Sequence, residues 1–154
     1  MVRCAKVTGM NIIISPLDAA MLDEAAAMEK ICFSVPWSRG MLEQELGDEQ
    51  SLWLGATDRE GRLLGYVGCR CVLDECSIMN ITVLPELRRR GIASKLLNCL
   101  FERLEDISNV YLEVRESNIP AQRLYWTFGF RPCGKRRSYY QKPDEDAVIM
   151  VKRM

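Results

Sequence analysis

The sequence predicts an α/β fold, a mixed sheet covered by helices, and three observations predict it. Strand-like and helix-like stretches alternate along the 154 residues in the order β-α-α-β-β-β-α-β-α-β-β. Each strand–helix–strand crossover in that order favours a parallel neighbour, whereas a short turn at Gly61 joins two strand-like runs as an antiparallel hairpin. From Ile92 onward, Leu96, Leu97, Leu100, Phe101 and Leu104 make one apolar stripe at helical spacing.

The elements follow in order. Residues 11–15 are a short β-branched strand, and residues 17–32 carry Ala, Met, Leu and Glu with apolar positions at helical intervals. Ser38 can cap a second helix over 39–46, because its hydroxyl can accept from a first-turn amide, and Gly47 ends it. Between the two helices, Val35-Pro36-Trp37 reads as an exposed aromatic loop. Residues 51–57 and 63–70 form the hairpin, and 76–84 is the next strand, closed by Pro85. The long helix follows from Ile92, then a strand over 110–114. Asn118 with Pro120 two residues on starts a further helix, and Gly129 stands where a C-terminal glycine belongs. Residues 130–140 and 146–151 are the closing strands. No repeat, low-complexity tract or linker divides the chain, so one domain over 1–154 is expected, with 1–9 a loose extension or an upstream start choice to which no function is attached.

Composition narrows the chemistry. Lys and Arg total 21, as do Asp and Glu, so bulk charge gives no reason to expect nucleic acid or a membrane surface as partner. There is no His, which removes the commonest metal ligand and the commonest general base. No metal is expected. Seven Cys, an odd number without a CxxC, lie mostly in apolar runs and read as reduced core residues. Cys69, Cys71 and Cys76 are expected to pack rather than to react. Reduced cysteines favour a reducing cytoplasm, and with no apolar run near the roughly 18–20 residues of a membrane span the expectation is a soluble, non-exported protein.

The most informative segment runs from Ile81 to Ser94, a strand passing through a basic, glycine-containing turn (Arg88-Arg89-Arg90-Gly91) into the long helix. The first amides of a helix lack intrahelical partners, and the helix dipole adds positive character, so such a turn can cradle a pyrophosphate. A solvated arginine run and a nucleic-acid patch are the competing readings.

Arg88-Arg89-Arg90-Gly91-Ile92-Ala93 resembles the Arg/Gln-x-x-Gly-x-Gly/Ala signature of the GNAT family of N-acetyltransferases. The resemblance extends over nearly the whole chain and is closest to the RimI-type ribosomal-protein alanine N-acetyltransferases. It is carried by Pro36-Trp37-Ser38, Val72-Leu73-Asp74-Glu75, Asn80-Ile81-Thr82-Val83, Leu112-Glu113-Val114-Arg115, Ser117-Asn118, Leu124-Tyr125, Gly129-Phe130, Arg137-Ser138-Tyr139-Tyr140 and Glu145-Asp146-Ala147.

The resemblance implies the GNAT fold, with a mixed, mostly antiparallel sheet of about seven strands flanked by about four helices, and acetyl-CoA as cosubstrate. It implies that Ile81, Thr82 and Val83 pair with the pantetheine arm and that the Val83 amide faces the thioester carbonyl. Arg88, Arg89, Arg90, Gly91, Ile92, Ala93 and Ser94 would surround the pyrophosphate, and Asn118 would touch the cosubstrate further on. Glu113 matches the family's proton acceptor and Tyr125 its proton donor. Pro36, Trp37, Glu75, Tyr139 and Tyr140 would line the acceptor groove, with Glu145 and Asp146 adding acidic character for the N-terminus of a protein, a ribosomal protein by this resemblance. The family has Ala at Thr82, Gly at Ala93 and Asn at Ser138.

Direct acyl transfer needs a base, an oxyanion donor and an acid, which Glu113, a backbone amide and Tyr125 can supply without a covalent enzyme intermediate. Residue type alone leaves other readings open. Glu113 could be a strand-end carboxylate, Tyr125 a core aromatic on the stripe Ala121, Leu124, Tyr125 and Phe128, and Trp37 a plug. An acetyltransferase of a small amine would share the cosubstrate half, and a non-catalytic acetyl-CoA-binding module would have no need of Glu113 and Tyr125.

Overall fold

In a computed structural model, which describes residues 11–154, strand β1 (Ile13–Pro16) leads into helix α1 (Leu22–Cys32). Helix α2 (Arg39–Leu46), strands β2 (Ser51–Thr57), β3 (Leu63–Val72) and β4 (Glu75–Val83), and helix α3 (Ile92–Glu102) follow. The chain continues through β5 (Asn109–Arg115), α4 (Ile119–Thr127), β6 (Arg131–Tyr140) and β7 (Glu145–Arg153). The expected extension over 1–9 lies outside the described residues. The seven strands form one mixed, mostly antiparallel sheet in the order β1-β2-β3-β4-β5-β7-β6. In it β4 pairs with β5 in parallel, and β1–β2, β5–β7 and β6–β7 are antiparallel. The expected α/β class and element count hold.

Two compact units share these elements. The first comprises the described residues up to Cys69 together with Met79–Glu105. Its helix α3 buries Ile92, Leu96, Leu97 and Leu100 of the stripe read from the sequence to 1% exposure or less and packs toward β1 and β2, whereas Phe101 is half-buried and Leu104 falls beyond the helix end. At about 1.5–3 kcal/mol for each fully buried aliphatic side chain, that face outweighs the few tenths that separate residue propensities. The expected helix over 17–32 begins later. Asp18 accepts from Ala20 N at 2.9 Å and caps a 3-10 turn, Ala19–Met21, before α1. Trp53, on β2, lies over Gly68 of β3, where a Cβ would stand 2.2 Å from the indole ring.

The second unit comprises Arg70–Ile78 and Asp106–Met154. Strand β5 alternates, with Val110, Leu112 and Val114 buried and Tyr111, Glu113 and Arg115 between them half-buried. Asn118 caps α4 by accepting from Ala121 N at 3.3 Å. Strand β6, exposed almost throughout, forms the end of the sheet, and β7 inserts between it and β5.

One sequence expectation is corrected here. Cys71 and Cys76 are joined in a disulfide across the β3–β4 turn, with Cα atoms 4.0 Å apart, instead of both being reduced core residues. The tight turn Val72–Glu75 sets them opposite one another, a consequence of strand pairing that cysteine counting does not show. Cys32, Cys69, Cys99 and Cys133 are outside any disulfide among the described residues. Cys69 is fully buried, and burial pushes its thiol up to about 12, the behaviour of a packing residue.

Candidate active site

The first unit carries the turn expected to cradle an anion. Thr82 and Val83 are buried at the end of β4, Ile81 is half-buried, and Pro85 turns the chain away. Close approach is built into this strand: a Cβ on Gly65 of β3 would stand 2.7 Å from the Thr82 carbonyl oxygen. The Thr82 hydroxyl is buried without a hydrogen-bond partner among the described residues. Arg88 Nε donates to the Val83 carbonyl at 3.3 Å, so this arginine braces the strand it follows. Arg89, at φ 63°, and Gly91, at φ 80°, both take left-handed backbone, and Gly91 is the N-cap of α3. Lys95 N closes the first turn on the Gly91 carbonyl at 3.1 Å, and no side chain caps the helix among the described residues. The amides of Ile92, Ala93 and Ser94 therefore stand at an open N-terminus. Arg88, Arg89 and Arg90 are exposed around it.

Trp37 and Pro36 stand in the same unit on the α1–α2 loop. Pro36 is exposed and Trp37 half-buried, its ring 5.8 Å from that of Trp53. Trp37 N donates to Glu29 Oε2 at 3.0 Å.

The second unit carries the proposed acid and base. Glu113 lies on the half-buried face of β5, opposite Ile149 of β7, and accepts from Arg136 Nε of β6 at 3.3 Å. Tyr125 is 6% exposed on α4, its ring 5.9 Å from Phe130 in an edge-on contact. Burial pushes its phenol well above the ordinary 10, and the neighbouring Tyr140 adds to this, so Tyr125 keeps its proton through the neutral range. The ring is thus packed, as the stripe Ala121, Leu124, Tyr125, Phe128 implies. Tyr139 and Tyr140 meet edge to face at 5.0 Å, and the Arg115 guanidinium lies 4.5 Å over the Tyr140 ring. Burial pushes Tyr140 up to about 12, with Tyr139 and Glu113 contributing. Glu75 is exposed at the first position of β4.

Three residues do more than the sequence indicates. Asn118, expected near the cosubstrate, uses its side-chain oxygen as the α4 cap. Glu145 is held by Arg115 at 3.2 Å and by the Ser117 amide and hydroxyl at 2.5 and 2.9 Å, so it locks a loop instead of lending free negative charge to a groove. Asp146 accepts from Ser138 N at 2.8 Å. Ser138 stands at φ 51°, a left-handed conformation in which Asn is enriched over other non-glycine residues, which gives a physical reason for the family's Asn there. Sequence reading missed Glu29, which is 1% exposed and bonded by Tyr66, Asn80 and Trp37. Its signal was available: Glu29 falls seven residues after Leu22, on the buried stripe of α1 with Ala25.

With this geometry in place, a family model described as the acetyltransferase (GNAT) family matches residues 22–130. An alanine N-acetyltransferase of ribosomal protein bS18 from Haemophilus ducreyi is 38% identical over 129 residues, covering 80% of this chain and 88% of that protein. The chain belongs to the GNAT acetyltransferases, RimI type. Among solved structures, the ribosomal-protein-S18-alanine N-acetyltransferase of Escherichia coli superposes with a TM-score of 0.84 at 34% identity, covering 92% of this chain and 93% of that one. The structure of Arabidopsis thaliana NAA60 in complex with acetyl-CoA has a similar fold, with a TM-score of 0.83 at 21% identity over 93% of this chain and 99% of that one. Acetyl-CoA is the cosubstrate of this GNAT enzyme. The residues present fit it, since nothing lies within 4 Å of a Cβ built on Gly91 and a diphosphate can reach the open amides. No α-helix among the described residues is long and apolar enough to cross a membrane.

Proposed function

We propose that this chain acetylates the N-terminal α-amine of a protein, an alanine terminus of a small-subunit ribosomal protein, and that residues 1–154 work as one cytoplasmic domain. One observation carries the reading. An open helix N-terminus behind a left-handed Gly91 is followed, on the next strand and helix, by a half-buried carboxylate, Glu113, and a phenol that holds its proton, Tyr125. The names of the ribosomal-protein acetyltransferases at 34–38% identity support the acceptor class.

Bound acetyl-CoA supplies the acyl group as an activated thioester. The amides of Ile92, Ala93 and Ser94, with Arg88, Arg89 and Arg90 around them, hold its pyrophosphate. Ile81, Thr82 and Val83 offer strand backbone to the pantetheine arm, and Asn118 adds a polar contact. Glu113 takes the proton of the attacking amine, and Tyr125 gives its proton to the departing sulfur. Pro36, Trp37, Glu75, Tyr139 and Tyr140 orient the acceptor. An α-amine suits this site, because its pKa of about 7.7–8.0 leaves roughly one in ten neutral at pH 7, against fewer than about one lysine in a thousand.

Peptides beginning Ala, Ser, Met or acetyl-Ala, incubated with acetyl-CoA and followed by mass, test the reading. The Ala peptides should gain one acetyl group fastest, and acetyl-Ala none. Free polyamines or amino acids turning over far faster than every peptide would replace it with a small-amine acetyltransferase.

A further inference from the structure

Glu29 is a carboxylate on α1 with almost no contact with water, at 1% exposure, and it faces donors from three other segments. Tyr66 of β3 donates its hydroxyl hydrogen to Oε1, and so does the Asn80 side-chain amide of β4. The Trp37 backbone amide, on the α1–α2 loop, donates to Oε2 at 3.0 Å. Two of these, the Asn80 NH2 and the Trp37 N–H, can only donate, so the group between them must offer acceptors on both sides. Glutamate is the side chain of this length that does so. Burial pushes the carboxyl up, while bonds from Tyr66, Trp37 and Asn80 pull it back toward the charged form.

The partners define what the group joins. Asn80 directly precedes Ile81-Thr82-Val83, the acetyl-donor strand, and Trp37 belongs to the acceptor loop. The Trp37 ring continues into a row of aromatics, 5.8 Å from Trp53, which lies 6.0 Å from Tyr66. Cys32, at the end of α1, lies with its sulfur 3.9 Å from the Val83 carbonyl, a second tie between the same helix and strand. Such a buried, multiply bonded carboxylate rigidifies the elements it bridges, and removal of one partner leaves the others unsatisfied.

We propose that Glu29 is a positioning residue for acceptor binding, fixing the Pro36-Trp37 loop against the acetyl-donor strand so that the peptide N-terminus is held in line with the thioester. This rests on the reading that the Pro36-Trp37 loop lines the acceptor groove.

Steady-state kinetics of Glu29→Gln and the milder Tyr66→Phe, with an Ala-starting peptide and with a small primary amine as acceptors, test the proposal. Hydrogen exchange of the loop over 33–38 is measured in parallel. Glu29→Gln places an amide NH2 against an obligate donor. It should raise the peptide KM by about tenfold or more, leave kcat within about threefold, leave the CoA Kd unchanged, and speed exchange at the Trp37 amide ahead of α1. Tyr66→Phe, which keeps shape and loses one donor, should move the same quantities less. The small amine, which does not use the loop, should keep its KM. If the folded variants keep the wild-type peptide KM, or if CoA Kd and both acceptors worsen together, Glu29 is structural and the proposal falls. Failure of the wild type to acetylate any peptide would instead overturn the peptide reading, so the two failures are distinct.

Discussion

Two carboxylates that look alike in the sequence, Glu29 and Glu145, take opposite electrostatic roles. Glu145 accepts from the Ser117 hydroxyl and amide and pairs with Arg115, and these contacts, the Ser117 hydroxyl first, hold its carboxyl below the ordinary 4.5. A depressed folded-state pKa means that the unfolded chain binds the proton first as pH falls. The stabilisation from Glu145 is therefore complete above 4.5 and lost as pH falls through the folded value. Glu29, raised by burial, has the opposite sign: its contribution is present below 4.5 and lost as pH rises through its folded value. Chemical denaturation of the wild type and Glu145→Gln from about pH 6 to pH 3 should show the wild type losing more stability than the variant on the acid side, a difference set by the protons taken up. Parallel curves would show that Glu145 contributes nothing through its charge. The sequence showed both residue types but not their partners. Ser117 lies 28 positions from Glu145, and Tyr66 and Asn80 lie 37 and 51 from Glu29. Such pairings are made by the sheet and have no local trace, although the place of Glu29 on an apolar stripe marks it as buried.

At the scale of elements, legibility follows the range of the interactions that make each one. Helix α3 was readable because its stripe and its glycine are local, and α2 because Ser38 accepts from Met41 N as a cap should. The entry of α1 was misplaced because Asp18, not the first apolar residue, sets the turn. The insertion of β7 between β5 and β6 was not readable, since hairpins and crossovers do not declare which edge a returning strand joins. The α3 entrance allows a sharp separation of binding from folding. Gly91 is left-handed, which disfavours β-branched residues, but a Cβ there meets nothing within 4 Å. Gly91→Val should therefore cost the fold only about 1–2 kcal/mol, the backbone penalty. The loss of CoA affinity should be larger, about tenfold or more, because the added side chain projects toward the space a diphosphate needs. Calorimetric titration of CoA beside denaturant melts compares the two. Equal CoA affinity in the folded variant would remove this turn as the cradle.

For the whole molecule, the proposed base and acid lie on a strand and a helix of one compact unit, Glu113 on β5 and Tyr125 on α4. The family match over residues 22–130 runs through both compact units. Glu113→Gln and Tyr125→Phe should each lower turnover by about 10²–10⁴-fold, the range for general acid–base groups, with little change in CoA affinity. The two variants should then diverge with pH. An α-amine loses its own proton above about 7.7–8.0, so solvent can replace the base and Glu113→Gln should recover part of its rate in alkali. Tyr125→Phe should not recover, because the missing group is a proton for the leaving sulfur and higher pH removes other donors. The double variant should lose less than the product of the two single losses, since groups that act on one transition state are not additive. Pre-steady-state rates across about pH 6–9.5 for the three variants decide the matter. If Tyr125→Phe recovers in alkali and Glu113→Gln does not, the roles are exchanged, and near-wild-type rates in both would place the acid and base elsewhere in the fold.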